Sequence, residues 1–268
     1  MFSLQGRCAV VTGAAGFFGH YFVDALLSAG AFVIMLDRNE DRLKCLNENH
    51  PARTVFWPVD FYDRSMVGDV LDQISRRYAV DILVNNAFDF SRRTGFNDPA
   101  GRLEHATFEQ IQSSFEAGAY WAIQCTQALG LRMKERGRGS IINICSMYGV
   151  VVPSPALYEG TDKFNPPGYS MAKGALIQFT RYAASFLGPQ VRVNALSPGA
   201  IPNTETPTYN AVDTQREEEF MHRLIDRTLL KRVGHPRDLI GPLVFLASDA
   251  SAYMTGHNLV VDGGWTIT

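Results

Sequence analysis

Tyr169 and Lys173 stand four residues apart in Tyr169-Ser170-Met171-Ala172-Lys173, at the start of a segment that reads as helix to about Leu187. An i, i+4 spacing puts both side chains on one helical face. A phenol titrates near pH 10, so a tyrosine that exchanges a proton near neutrality needs a cation beside it, and a lysine one turn away can supply that charge. Alone, the pair is an ordinary helix face. Ser146 gives it context: it ends the strand-like run Ile142-Asn143-Ile144-Cys145-Ser146, where its hydroxyl would enter the same crevice and hold a carbonyl or carbinol oxygen. A serine that orients the oxygen, a tyrosine that exchanges its proton and a lysine that tunes the tyrosine make up the proton half of a hydride transfer.

A hydride needs a carrier. The turn Thr12-Gly13-Ala14-Ala15-Gly16-Phe17-Phe18-Gly19 follows a first strand-like run and opens a helix whose Phe18, Phe22, Leu26 and Ala29 share one face before Gly30 ends it. Glycines let a backbone turn tightly against a pyrophosphate, and the helix N-terminus stabilises the anion. Asp37 closes the second strand 18 residues after Gly19 and could accept hydrogen bonds from both ribose hydroxyls. Its charge repels a 2′-phosphate and favours NAD, although neighbouring Arg38 could pair with that phosphate, so NADP stays open. Asp60, closing the third strand, is a candidate for the adenine amino group, with a plain turn residue as the alternative.

The elements that position these groups alternate. Strand-like runs at Arg7 to Val11, Ala31 to Asp37, Thr54 to Asp60, Ile82 to Asn86, Ser140 to Ser146, Val191 to Leu196 and Asn258 to Asp262 are separated by helix-compatible segments. That rhythm implies right-handed crossovers and an α/β fold: a three-layer, doubly wound parallel sheet of the Rossmann type. Two stretches break it, Phe88 to Ala106 and Val152 to Gly168; each follows the carboxyl end of a strand, where ligands bind in open α/β sheets, so both are candidate substrate loops. A length of 268 residues with no interdomain linker fits one domain spanning 1–268.

Twenty-five basic against 27 acidic residues, net charge −2, leave no polyanion-binding surface, so nucleic acid is not an expected partner. Cys8, Cys45, Cys125 and Cys145 form no Cys-x-x-Cys pair, which favours free thiols over a disulfide or metal site. No apolar run is long enough for a bilayer span and no signal peptide is apparent, so a cytoplasmic, membrane-free protein is expected.

In order and spacing, these residues resemble the classical short-chain dehydrogenases/reductases. The resemblance rests on the Thr12 to Gly19 turn, Asn85-Asn86-Ala87, Ser146, Tyr169, Lys173, Arg192-Val193-Asn194 with Pro198-Gly199, and the C-terminal Phe245-Leu246-Ala247-Ser248 and Val261-Asp262-Gly263-Gly264. It implies strand order 3-2-1-4-5-6-7 and an NAD(P)-dependent oxidoreductase of secondary alcohols or ketones, with Ser146, Tyr169 and Lys173 as catalytic residues. The cofactor would lie on Gly13, Gly16, Phe18, Gly19, Asp37, Asp60, Asn86, Ala87, Tyr169 and Lys173, with Pro198, Gly199 and Ile201 at the nicotinamide. The partners implied are a small-molecule substrate and further copies of the chain, as homotetramer or homodimer.

Several departures set this chain apart. Glycines at 13, 16 and 19 have the spacing of the extended branch, and Phe17 stands where the classical middle glycine belongs. Phe115 appears at the position of the proton-relay asparagine, with Tyr148 and Glu116 as substitutes, and Phe88 replaces the glycine after Asn-Asn-Ala, where it would crowd the cofactor pocket. The 23-residue interval from Ser146 to Tyr169 carries an insertion with Tyr158, Glu159 and Lys163, groups a sugar or nucleotide could use; Arg92 and Arg93 of the other loop could meet a phosphate or stay solvated. With Tyr158-Glu159-Gly160-Thr161, these features are similar to reductases of bacterial surface-sugar pathways, such as the flagellin-modification proteins of nonulosonate biosynthesis. Phe115 and Phe88 also leave room for a cofactor-binding scaffold or regulatory subunit with weak catalysis, and the glycine spacing for epimerase or dehydratase chemistry.

Overall fold

The computed structural model describes residues 1–203 and 214–268, except for the side chains of 214 and 215. Seven strands form one sheet: β1 Cys8–Thr12, β2 Phe32–Asp37, β3 Thr54–Pro58, β4 Val80–Asn85, β5 Gly139–Ile144, β6 Val191–Pro198 and β7 Asn258–Val261. They lie in the order β3-β2-β1-β4-β5-β6-β7, all neighbours parallel. The chain winds outward from β1 to β3 and then returns to place β4 against β1, which opens a crevice at the carboxyl ends of those two strands.

The strand residues explain why helices cover both faces. Along β2, Val33 and Met35 enter one core cluster with Phe22, Leu26 and Leu243, while Ile34 and Leu36 enter the other with Leu83, Leu129 and Ile141. Successive side chains point to opposite faces, and here both faces are apolar, so each must be buried. On the first face lie α1 Gly19–Ser28, α2 Glu40–Asn49 and, near the C-terminus, Ile240–Ala247; on the second lie α3 Arg64–Arg77, a helical run over 108–135 (α4) and α5 Pro167–Leu187. The helix Thr214–Asp226 (α6) packs beside the insertion before α5.

Local chemistry sets the helix ends. Asn39 and Asp63 accept the backbone N–H of Arg42 and Met66 at 3.1 and 3.0 Å, and Thr107 with Gln110 forms a reciprocal capping box at the start of α4. Two π-turns, Glu116–Tyr120 and Thr126–Gly130, interrupt α4; such bulges re-aim a helix where a site needs it. Among the described residues no helix is long and apolar enough to cross a membrane.

The expected boundaries shift near the site. β5 ends at Ile144, so Ser146 lies beyond the strand as the cap of a short 3-10 turn, and β3 ends at Pro58, leaving Asp60 in the following turn. α5 begins at Pro167, whose fixed backbone suits a first helical position. The two loops contain short 3-10 turns at Arg92–Thr94, Pro99–Gly101 and Pro155–Tyr158.

Candidate active site

A cavity of about 680 Å³ opens over the carboxyl ends of the strands. Gly13, Gly16, Phe18, Asp37, Asp60, Asn86, Ala87, Ser146, Tyr169, Lys173, Pro198, Gly199 and Ile201 all line it; Gly19, the remaining expected residue, lies beneath. At one end stands the glycine turn. A Cβ on Gly13, at φ +64°, would lie 2.9 Å from Ala87 Cα, and one on Gly19 would lie 2.0 Å from the Gly13 carbonyl oxygen. These glycines let the turn close onto β4 and α1 start against the turn, a cradle for a pyrophosphate. Gly16 is less constrained, with one contact at 3.1 Å. Asp37 accepts Ala15 N–H at 3.0 Å and Asn39 N–H at 2.9 Å, which ties the turn to the end of β2. Thr12 Oγ1 accepts the N–H groups of Asn86 and Ala87, both at 3.0 Å, while Asn86 Nδ2 donates to the Thr12 and Gly13 carbonyls at 3.1 and 3.0 Å. The crevice is thus stitched open at its base.

At the other end Ser146, Tyr169 and Lys173 converge. Ser146 is buried and accepts Tyr148 N–H at 3.1 Å. Lys173 is 4% exposed and donates to the Ile144 carbonyl at 2.9 Å; burial pulls its ammonium down to about 8. Within the protein alone burial dominates at Tyr169 as well and pushes the phenol up to about 12, against a smaller lowering by the neighbouring Ser146 hydroxyl. Lys173, against expectation, is not among the groups that shift Tyr169 in the protein alone; an adjacent cationic nicotinamide is the charge that would reverse the sign. A buried polar ladder stiffens the floor: Asn85 Nδ2 donates to Asn143 Oδ1 at 2.8 Å and Asn143 Nδ2 to Thr180 Oγ1 at 2.9 Å, linking β4, β5 and α5.

Three expectations change. Phe115 does not line the cavity and is 49% exposed, whereas Gly118 of the same helix packs against α5, where a Cβ would meet Ala172 Cβ at 2.6 Å and Phe88 Cε2 at 3.2 Å. Glu116, offered as a substitute, is held by Arg64 at 2.9 Å instead, and Tyr148 bonds the Tyr158 hydroxyl at 3.2 Å. Arg92 and Arg93 do not line the cavity; the Arg93 guanidinium lies 3.5 Å over the Tyr62 ring. In the insertion, Lys163 pairs with Glu217, Tyr158 stacks on Phe220 at 5.8 Å, and Arg223 donates to the Leu157 carbonyl at 3.2 Å, so this loop is docked on α6.

Asp89 was not foreseen. It is 4% exposed and lines the cavity; Oδ2 accepts the Tyr62 hydroxyl at 2.9 Å and the Ser91 hydroxyl at 2.7 Å, while Oδ1 has no hydrogen-bond partner and lies 3.6 Å from Arg38 Nη2. Phe90, Phe96, Asn97 and Trp121 also line the cavity unannounced. The alternation Phe88-x-Phe90 directly after Asn-Asn-Ala was the available signal.

With that geometry in hand, comparison with known proteins is decisive. A short-chain dehydrogenase family model described as enoyl-(acyl carrier protein) reductase matches residues 13–266. The chain belongs to the short-chain dehydrogenase/reductase family. Similar members include galactitol 2-dehydrogenase (L-tagatose-forming) of Cereibacter sphaeroides, 33% identical over 100% of this chain and 98% of that protein. Another is gluconate 5-dehydrogenase of Gluconobacter oxydans, 31% identical with 100% and 98% coverage. Among solved structures, a short-chain dehydrogenase of Leptospira borgpetersenii with bound NAD+ has TM-score 0.80 and 28% identity, covering 98% of this chain and 93% of that one. A gluconate 5-dehydrogenase of Burkholderia cenocepacia with NADP and tartrate has TM-score 0.82 and 28% identity, at 100% and 98% coverage. This family member is an NAD(P)-dependent oxidoreductase acting on secondary alcohols.

Proposed function

We propose that this enzyme uses Ser146 to orient the substrate oxygen, Tyr169 to exchange its proton and Lys173 to hold the nicotinamide ribose, with the cationic nicotinamide lowering the tyrosine pKa and NAD preferred over NADP. The observation that carries the reading is convergence: the Ser146, Tyr169 and Lys173 side chains and the glycine turn with Asp37 line two ends of one cavity. The cofactor would lie on Gly13, Gly16, Phe18, Gly19, Asp37, Asp60, Asn86 and Ala87, with Pro198, Gly199 and Ile201 around its nicotinamide. Once bound, the nicotinamide supplies the hydride acceptor or donor.

Two observations favour NAD. Asp37 would repel a 2′-phosphate, and Arg38, which could otherwise hold that phosphate, leans on the buried Asp89. The relatives named for galactitol and gluconate support a sugar-derived secondary alcohol or its ketone as substrate. We read residues 1–268 as one cytoplasmic domain, in keeping with four free cysteines, and as a homotetramer or homodimer, because Phe115, Met171, Tyr182 and Phe186 leave large apolar groups exposed on α4 and α5.

Fluorescence titration with NADH and NADPH, followed in the same cuvette by sugars, polyols and ketones, tests this reading. Tighter NADH binding and substrate-dependent turnover are expected, with Tyr169→Phe losing about 10²–10⁴ in kcat at unchanged NADH affinity. Full activity in that variant would reject the role of Tyr169.

A further inference from the structure

Three phenylalanines from one loop wall the cavity beside Tyr169. Phe88, Phe90 and Phe96 have ring centroids 5.1, 6.0 and 5.4 Å from that of Tyr169, and they touch one another at 4.7, 6.0 and 5.1 Å. Phe90 is 58% exposed, so the wall turns apolar surface toward open space, not into the core. Exposed apolar area inside a cavity is contact surface for a ligand.

The wall is fixed from behind. Thr94 Oγ1 donates to the Asp89 carbonyl at 2.6 Å, Ser114 Oγ donates to the Thr94 carbonyl at 3.0 Å, and Asp89 is anchored on Tyr62 and Ser91. Gly95 takes φ +86°, and a Cβ there would press Pro166 at 3.3 Å, so the loop closes tightly onto the start of α5. The rings are therefore presented by a braced loop.

Charge is the second observation. Among the described residues that line the cavity, the cations are Arg38, at the Asp37 end beside Asp89, and Lys173, whose ammonium is buried on the Ile144 carbonyl. Among the described residues that line the cavity, no cation besides the buried Lys173 stands at the phenylalanine wall, and burying a carboxylate or a phosphate without a free partner is costly.

Resting on the oxidoreductase reading above, we infer that the substrate is uncharged and carries its reacting carbinol on or beside a ring, whose flat apolar face lies against Phe90 and Phe96. Aromatic walls hold the C–H face of a saturated ring and the face or edge of an aryl group by the same dispersion and quadrupole forces. In the oxidative direction the carbinol C–H bond breaks and its electron pair leaves with the hydrogen to NAD+, giving NADH. The hydroxyl proton passes to the Tyr169 oxygen and the C=O bond forms. An acyclic polyol has no flat face to offer, and a sugar acid or nucleotide sugar brings an anion that the wall leaves unpaired, so this chain departs from relatives named for galactitol and gluconate.

The test compares kcat/KM with NAD+ for a saturated-ring pair (cyclohexanol and a neutral methyl pyranoside), an aryl carbinol (1-phenylethanol), galactitol, gluconate and a uridine diphosphate sugar. At least one ring class is expected to exceed galactitol, gluconate and the nucleotide sugar by tenfold or more, and which class leads distinguishes a carbohydrate from an aryl source. Phe90→Ala should shrink that ratio at least fivefold while Phe90→Tyr, which keeps a ring, preserves it. Better turnover of gluconate, galactitol or the nucleotide sugar overturns the inference. So does a ratio unchanged in Phe90→Ala, or failure to oxidise any ring substrate. NADH binding, read by fluorescence in the same samples, reports separately on the oxidoreductase reading beneath.

Discussion

Replacing Asp89 by asparagine should let this enzyme accept NADPH without weakening NADH. The amide is isosteric and keeps acceptors for the Tyr62 and Ser91 hydroxyls, which now bond Oδ2 at 2.9 and 2.7 Å. What disappears is the charge facing Arg38 at 3.6 Å. A bare Coulomb term over that distance is about 4–5 kcal/mol at an effective dielectric near 20, but the Arg38 side chain is 63% exposed, so solvent screening brings the pair to about 1 kcal/mol or less. Freeing Arg38 for a 2′-phosphate should therefore tighten NADPH about fivefold, leave NADH within about twofold, and still leave Asp37 favouring NAD. The assay is fluorescence titration of both cofactors against wild type, Asp89→Asn, Arg38→Gln and the double variant. The gain must vanish in the double variant, because it acts through Arg38. An unchanged NADPH affinity in Asp89→Asn, or an equal loss for both cofactors, would refute the argument.

Further consequences are accessible with single variants. Lys173 titrates at about 8 in the folded chain against 10.5 when free, so between these values the unfolded chain holds the extra proton and stability rises with pH. The wild-type stability relative to Lys173→Met should therefore climb by about 3 kcal/mol from pH 7 to pH 10.5, and a flat difference in denaturant midpoint would contradict the buried ammonium. Gly19→Ala places a methyl 2.0 Å from the Gly13 carbonyl oxygen and should cost about 1–3 kcal/mol together with most NADH affinity; Gly68→Ala, with nothing within 4 Å, should instead stabilise α3 by about 0.5–1 kcal/mol.

Most of the fold was legible because its signals are local and repeated. Runs such as Phe32–Asp37 announce themselves as buried strands, and Gly13 with Asp37 marks where a nucleotide turn must fall. Ser146, Tyr169 and Lys173 were legible because chemistry restricts residue type and helical spacing brings two of them together. Asp89 and the phenylalanine wall were not, since their meaning comes from Tyr62, Ser91, Arg38 and Tyr169, brought to them by tertiary packing across up to 81 positions of sequence. Arg93 stays exposed, as the solvated alternative has it, but its stacking on Tyr62 is again a tertiary contact that sequence does not carry.

Phe88 and Gly118 form a single feature, and together they couple proton chemistry to substrate choice. A phenylalanine after Asn-Asn-Ala needs room, and Gly118 provides it, since even a Cβ there would lie 3.2 Å from the Phe88 ring and 2.6 Å from Ala172. The ring then settles 5.1 Å from Lys173 Nζ and 5.1 Å from the Tyr169 ring. It shields the ammonium from water, which contributes to the burial that holds Lys173 at about 8, and it also forms the first panel of the apolar wall. Phe88→Ala should therefore change two quantities together. Water reaching Lys173 should raise its pKa toward 10.5, displacing the alkaline limb of the kcat profile, and the preference for ring substrates should fall. Phe90→Ala, whose ring is not over the lysine, should alter the preference with the pH profile intact. If Phe88→Ala moved selectivity and left the pH profile where it was, the ring would be a wall alone and the low lysine pKa would have to come from burial by the other groups around Lys173.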